Sequence, residues 1–171
     1  KKAKDIIDKF DPIYTIRVSA TANKVSHHEF YEIPEDEVID VGLITHAIYV
    51  NEGVMEHDEI ENDYDYLLDL ADAKRKEPLA GYEMVGADVR PLVLIQFPAG
   101  QPETIKAVEE KLASMGCTYD NGLVNIWMSD DKIKSDDLTA NNGTPAFLLM
   151  KQTVSTGWDC PRAKILVKLR E

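Results

Sequence analysis

The residues best suited to chemistry lie near the end of the chain, between two short apolar runs. Residues 147–150 and 165–169 are the runs, and the polar insert between them, residues 151–164, carries Thr156-Gly157-Trp158-Asp159 at its centre. Short apolar runs bounded by glycine and proline are typical of strands buried on both faces. We expect the two strands to lie side by side in a parallel sheet, with the insert at the carboxyl edge, where such sheets bind ligands. Hydroxyl and carboxylate groups at that edge are suited to phosphate or nucleic acid.

Four side chains of the insert are candidates for binding nucleic acid. Ser155 and Thr156 carry hydroxyls that can hold a phosphate oxygen, although a polar turn whose hydroxyls bond only the nearby backbone explains them equally well. Arg162 and Lys164 can contact phosphates through charge. Trp158 is expected to pack against the protein rather than to stack on a ligand.

The insert and its two flanking runs resemble motif V of superfamily 2 nucleic-acid motors, and most closely the helicase-like Res subunit of type III restriction enzymes. Ser19-Ala20-Thr21, which follows the run at 13–18, is similar to the Ser-Ala-Thr of motif III, which in those motors links ATP hydrolysis to movement along nucleic acid. The resemblance implies that Gly157 and Asp159 face the nucleotide, or the arginine motif, across the gap between two motor domains. It also implies ATP and Mg²⁺ as cofactors of the intact enzyme and DNA as its partner.

The resemblance further implies an α/β architecture: a RecA-like parallel sheet flanked by helices, preceded by an N-terminal strand and an acidic connector. Residues 1–22 would be a remnant of the first motor domain with motif III, and residues 23–60 the connector. Residues 61–171 would be the second RecA-like domain, truncated before motif VI. The abrupt ends of the chain are then expected to be cut points. Further partners would be the first motor domain and the nuclease domain of the same polypeptide, together with a modification subunit.

Several residues that ATP hydrolysis requires are missing from the chain. There is no Gly-x-x-x-x-Gly-Lys-Ser/Thr loop, no acidic pair directly after a buried apolar strand, and no arginine motif. No Pro-Asp followed by Asp/Glu-x-Lys indicates a nuclease. His27-His28-Glu29 does not predict a metal site, because adjacent residues of a strand point to opposite faces. We therefore expect no catalytic residue and no metal ligand here, and no ATP hydrolysis or DNA cleavage by this chain alone.

The distribution of charge keeps two other functions open. The net charge of −12 argues against simple non-specific binding of nucleic acid, which requires Lys and Arg. Residues 25–73 contain fifteen Asp or Glu and no Lys or Arg, whereas residues 151–171 contain five basic residues and two acidic ones. One alternative is a small non-motor α/β nucleotide-binding domain. The other is an acidic protein-interaction module with residues 25–73 as its contact surface.

The cysteines and the hydropathy pattern indicate a cytoplasmic protein. Cys117 and Cys160 fit neither a metal-ligand spacing nor a secreted disulfide framework, which favours a reducing compartment. The sequence shows no signal peptide and no apolar run of about 18 residues, so we expect no association with a membrane.

The remaining apolar periodicity predicts the other elements. A helix is predicted over residues 62–76, stopped before Pro78, and another over residues 103–115. Strands are predicted at residues 13–18, 43–50, 92–97 and 123–128. The strand, helix and strand between residues 92 and 128 predict a right-handed crossover unit of a parallel sheet.

Overall fold

The computed structural model describes residues 2–16, 18, 29–54, 64–98, 102–128, 137–151 and 158–169. The chain divides into two compact units, Lys1–Val50 and Asn51–Glu171. Among the described residues, no helix combines the length and the apolar composition that crossing a membrane requires.

The described residues of the first unit form two short helices, α1 (Lys2–Lys9) and α2 (Glu35–Asp40). The strands predicted at residues 13–18 and 43–50 are wrong for the residues that the structure describes there, none of which belongs to a strand. Ile13, Ile16 and Val18 are 89%, 88% and 95% exposed. Branched side chains favour a strand only where a neighbouring strand completes the hydrogen-bond ladder, and the described part of this unit supplies none.

The second unit is an α/β fold built on a sheet of four parallel strands. Its strands fall close to where the apolar runs predict them, so the predicted parallel α/β class is confirmed. In chain order the elements are α3 (Tyr64–Met84), β1 (Leu92–Gln96), α4 (Pro102–Ser114), β2 (Val124–Trp127), β3 (Phe147–Met150) and β4 (Ala163–Lys168).

The strand order of the sheet is β2-β3-β1-β4. The strands β3 and β4 are parallel, as the sequence predicts, but the prediction that they lie side by side is wrong, because β1 runs between them. Val93 of β1 pairs with Phe147 of β3 on one side and with Ile165 of β4 on the other. The apolar sequence of β1 suits this central position, and residues 151–162 form a connection long enough to cross one strand, a distance of about 10 Å.

Both helices cover the same face of the sheet, which we call the helix face. Leu68 of α3 and Val108 of α4 are fully buried in one cluster with Val93, Phe147 and Leu149 of the strands. Because side chains alternate along a strand, the residues between these point to the other side of the sheet, which we call the second face. No helix among the described elements packs there; Leu138, Trp158 and Cys160 cover it instead, against Leu92 and Leu148.

The helix α3 continues eight residues beyond the predicted stop at Lys76, through Pro78 to Met84. A proline inside a helix removes one backbone hydrogen bond and costs about 3 kcal/mol. The helix packs against β1, β4 and α4, with Leu68 and Ala71 buried, and this packing overrides the local penalty.

A buried carboxylate with two cations fixes the middle of α3. Asp72 is 9% exposed, and its Oδ1 accepts hydrogen bonds from Nε and Nη2 of Arg75 at 2.9 and 2.7 Å. Its Oδ2 lies 2.7 Å from Nζ of Lys76, and the Arg75 guanidinium lies 5.7 Å from the centre of the Phe147 ring. Burial alone raises the pKa of Asp72, but the hydrogen bonds from Lys76 and Arg75 outweigh it, so the pKa falls below its usual 3.8.

Replacing Asp72 with asparagine should therefore destabilise the protein in a pH-dependent way. A carboxyl with a depressed folded-state pKa contributes stability above the unfolded-state pKa and loses it as the pH falls through the folded-state value. At about pH 7 we expect Asp72→Asn to lower the free energy of unfolding by about 1.5–3 kcal/mol. The deficit should shrink well below pH 3.8, where the wild-type carboxyl also becomes neutral.

Urea unfolding at about pH 7 and about pH 2.5 measures this difference. The matched control is Asp69→Asn on the same helix, because the Asp69 carboxylate is exposed and pairs with Lys111 at 2.8 Å. An exposed pair contributes about 0–1 kcal/mol. A deficit of Asp72→Asn that is equal at both pH values would contradict the assigned role of the carboxylate.

Candidate functional site

The connections that follow β1 and β3 leave the sheet toward opposite faces. The strand β1 leads into α4, whose Val108 and Leu112 pack on the helix face. The strand β3 leads to Trp158 and Cys160, which pack on the second face. Because β1 and β3 are neighbours, their carboxyl ends flank a topological switch point, the place in an open parallel sheet where a ligand crevice forms.

The described residues at this crevice offer positive charge and amide donors. Gln96 ends β1 in register with Met150, which ends β3. Lys151 follows directly and is half-buried. An ammonium and an amide at a strand-end crevice can bind an anion such as a phosphate oxygen.

These residues suit a phosphate but not the magnesium ion of ATP. None of the described residues at the four carboxyl strand ends, or within two positions after them, is Asp or Glu. Within the described ranges, no group of three or more His, Cys, Asp or Glu side chains is arranged to hold a metal ion. Magnesium prefers carboxylate and water oxygens, so the described residues do not supply its site.

Trp158 and Cys160 fasten the end of the insert to the second face. The ring of Trp158 meets that of Trp127 edge-to-face, with centroids 5.7 Å apart and planes at 89°. Trp158 therefore packs against the protein, as the sequence predicts. The Cys160 thiol donates to the carbonyl of Leu138 at 3.8 Å. Burial raises the pKa of the Cys160 thiol, which keeps it protonated and a poor nucleophile.

Asp159 lies between these two anchors and is exposed. Its neighbour Trp158 contacts Trp127, which ends β2. On its other side, Cys160 bonds the carbonyl of Leu138, and the chain then continues to the start of β4. The carboxylate thus lies on the second face of the sheet, on the segment that leads away from the carboxyl edge. Its predicted role toward the nucleotide or the arginine motif remains a prediction.

Other predicted site residues lie outside the described residues. These are Ser155, Thr156 and Gly157 of the insert, and Ser19, Ala20 and Thr21 of the coupling motif.

Arg162 is buried within the fold, so the prediction that it contacts nucleic acid is wrong. Its side chain is 0% exposed, so a phosphate does not reach it. Its Nε donates to the carbonyl of Leu138 at 2.9 Å, Nη1 to that of Arg90 at 2.7 Å, and Nη2 to that of Pro145 at 2.8 Å. Since Arg90 and Pro145 stand just before β1 and β3, and Arg162 just before β4, one guanidinium joins the amino ends of three strands.

Lys164, by contrast, is exposed and remains available to an anion. The pairing of β4 with β1 shifts here, because Leu92 pairs with Ala163 but Val93 with Ile165. Lys164 is the extra residue of this irregularity and has no partner residue in β1.

The loop around Arg162 contains a glycine that no other residue can replace without movement. A Cβ on Gly143 would overlap the carbonyl oxygen of Asp137 and lie 3.0 Å from Nη2 of Arg162. Asp137 also accepts a hydrogen bond from the Thr144 amide at 2.7 Å, which lowers the pKa of the Asp137 carboxyl. The polar sequence of residues 129–144, rich in Asn, Asp and Gly, predicts a loop but does not indicate this arrangement.

We expect Gly143→Ala to lower the free energy of unfolding by about 1–3 kcal/mol, the usual cost of overpacking. The matched control is Gly81→Ala, because Gly81 lies inside α3 and a Cβ there meets nothing within 4 Å. In a helix that change is expected to be neutral or stabilising by up to about 1 kcal/mol. Thermal and urea unfolding compare the two variants, and equal stability of both would contradict the close approach.

Comparisons with family models, with curated proteins and with solved structures found no match for this chain.

Proposed function

We propose that this chain is a fragment of an ATP-driven DNA translocase, of the kind found in the Res subunit of type III restriction enzymes, and that its residues 61–171 belong to the second motor domain. The observation that carries the proposal is that β1 and β3 are neighbours whose connections leave toward opposite faces, the arrangement at which a ligand crevice forms, and that the insert carrying Gly157 and Asp159 follows β3. In the proposed enzyme this crevice forms one wall of the ATP cleft, and the first motor domain forms the other.

The connectivity of the insert supports this assignment. Lys151 follows β3 at the crevice, and Trp158 lies on the second face, so residues 152–157 must join these two places. Ser155 and Thr156 would hold phosphate oxygens of the DNA, and Gly157 would allow close approach of the backbone to a ligand. Asp159, exposed beside Trp158, would accept hydrogen bonds from the arginine motif or the nucleotide.

The DNA contact would draw on the exposed Lys164 at the start of β4. Arg162 takes no part in it, because its guanidinium is used within the fold. Its contribution is to hold the start of β4, and therefore the end of the insert, against the amino ends of β1 and β3.

The chain would bind ATP weakly on its own, since the described crevice has no magnesium ligands and the sequence has no phosphate-binding loop. ATP, Mg²⁺ and the catalytic groups would come together only with the first motor domain. The nuclease domain and a modification subunit would complete the assembly. No catalytic residue is assigned to this chain.

A comparison of nucleotide binding by this chain and by the longest polypeptide encoded in its reading frame tests the proposal. We expect a fluorescent ATP analogue to bind the long polypeptide saturably and DNA to stimulate its ATP hydrolysis. The chain alone should show no saturation up to about 1 mM nucleotide, which corresponds to less than about 4 kcal/mol of binding free energy. Saturable micromolar binding by the chain alone would contradict the half-site and favour the non-motor nucleotide-binding domain.

A further inference from the structure

The strand β4 has an outer edge that no described strand occupies. It stands last in the sheet order, with β1 on its inner side. The helix α3 packs against β4, and Val167 is buried on the helix face. On the second face, Leu166 is 57% exposed and Lys168 is exposed as well; Lys164, at the irregularity of the pairing with β1, is also exposed.

The backbone of this outer edge carries hydrogen-bonding groups that no described strand pairs with. The amide of Leu169 donates to the carbonyl of Gln96 in β1 at 3.0 Å. Because successive residues of a strand direct their N–H and C=O groups to opposite sides, Val167 also faces β1, whereas Leu166 and Lys168 direct theirs outward. The outer edge of β4 therefore presents donors and acceptors that a further strand can pair with.

The cover of the second face also stops before β4. Parallel sheets normally have both faces buried. Here Leu138, Trp158 and Cys160 cover this face over Leu92 of β1 and Leu148 of β3. Leu166 is in register with Leu94 of β1, at the margin of that cover, and more than half of its side chain is exposed. An unpaired backbone edge and an uncovered apolar side chain thus occur on the same strand.

The positive charges of Lys164 and Lys168 indicate which kind of molecule can bind the outer edge of β4. If β4 paired with itself across a two-fold axis at Leu166, Lys164 of each copy would lie opposite Lys168 of the other. Like charges directly opposite each other destabilise a strand pair, so this self-pairing of β4 is disfavoured. The phosphates of a nucleic acid would satisfy the lysines but neither Leu166 nor the outward-facing carbonyls, since phosphates have no donor.

We propose that β4 binds an extended acidic segment of a partner protein by strand addition, with carboxylates at Lys164 and Lys168 and an apolar side chain against Leu166. The backbone groups of the edge provide affinity, and the alternate side chains provide specificity. The two lysines repel basic strands and disfavour the self-pairing described above. They therefore act against wrong partners as well as in favour of the acidic one. This inference does not depend on the proposed motor function.

Fluorescence anisotropy with two labelled peptides tests it. The acidic probe is Thr-Thr-Glu-Val-Leu-Val-Glu-Thr-Thr, and the basic probe has lysine in place of both glutamates. Wild-type protein should bind the acidic probe at least about tenfold more tightly than the basic one, a difference of about 1.4 kcal/mol. The double variant Lys164→Glu/Lys168→Glu should reverse this preference.

Two further variants separate strand addition from simple charge attraction. Leu166→Pro removes an outward N–H but no hydrogen bond to β1, a position at which an edge strand tolerates proline, and it should abolish binding of the acidic probe. Leu166→Thr keeps the backbone intact in case the proline variant misfolds, and should weaken the same binding severalfold. Far-UV circular dichroism confirms the fold of each variant.

Three outcomes would overturn the inference. Equal binding of both probes would show that the lysines do not select. Absence of any peptide binding would show that the two lysines only prevent other strands from pairing with β4. Binding of a single-stranded oligonucleotide that depends on Lys164 and Lys168, without binding of the acidic probe, would assign the surface to nucleic acid instead.

Discussion

Replacing Arg162 with methionine is expected to lower the free energy of unfolding by about 3–5 kcal/mol. Methionine keeps an apolar stem of similar length but donates no hydrogen bond. The carbonyls of Leu138, Arg90 and Pro145 would lose their guanidinium donors at once. Each buried acceptor left without a donor costs about 1–3 kcal/mol, and incomplete relaxation of the loop recovers only part of the sum.

Urea unfolding followed by tryptophan fluorescence and by far-UV circular dichroism measures this loss. Trp127 and Trp158 pack in the same cluster as Leu138, whose carbonyl accepts from Arg162, so their emission reports on the packing around that residue. The matched control is Lys164→Met, because Lys164 lies two residues further along the chain, in β4, and is exposed; this change should alter stability by no more than about 0.5 kcal/mol. A loss below about 1 kcal/mol for Arg162→Met would show that the guanidinium does not hold the strand starts together.

The second large effect concerns Asp159. In the longest polypeptide of the reading frame, Asp159→Asn should reduce DNA-stimulated ATP turnover by about 100-fold, because the arginine that stabilises the transition state would lose the group that orients it. Asparagine has the same shape but lacks the negative charge needed to orient an arginine. Because Asp159 is exposed, the fold and the unfolding free energy should not change appreciably.

The matched control for this experiment is Asp120→Asn. Asp120 is also exposed but lies in the turn between α4 and β2, away from the carboxyl edge. Its replacement should leave ATP turnover unchanged. Full activity of Asp159→Asn, or an equal loss in both variants, would remove this aspartate from the proposed cleft.

The sequence predicts the parallel sheet well because β1 and β3 are nearly uninterrupted apolar runs. Such runs identify strands that are covered on both faces, whatever their order. It does not predict that β1 separates β3 from β4. Strand order depends on how connections cross the sheet, and residues 151–162 are long enough to reach either a neighbouring or a next-nearest strand.

Three local errors have separate physical causes. At residues 13–18 the β propensity of branched side chains is high, but no described strand is present to complete a ladder. At Pro78 the local penalty is real, yet tertiary packing keeps α3 helical to Met84. At Arg162 the carbonyl partners come from separate segments of the chain, so no linear spacing indicates that the side chain is buried.

The candidate site was predictable only in part. The sequence identifies the insert and correctly predicts that Trp158 packs, since a large aromatic between apolar strands usually does. The crevice follows from strand order and from the face that each connection takes. For that reason Gln96 and Lys151 emerge as site residues only once β1 and β3 are known to be neighbours.

The most direct test of the motor assignment is the coding sequence on either side of this chain in its gene. The account predicts a Gly-x-x-x-x-Gly-Lys-Ser/Thr loop upstream and a Gln-x-x-Gly-Arg-x-x-Arg pattern downstream, within a few tens of residues, because a half-site needs both to hydrolyse ATP. A gene that encodes neither pattern in the same reading frame would contradict the assignment of this chain to a nucleic-acid motor.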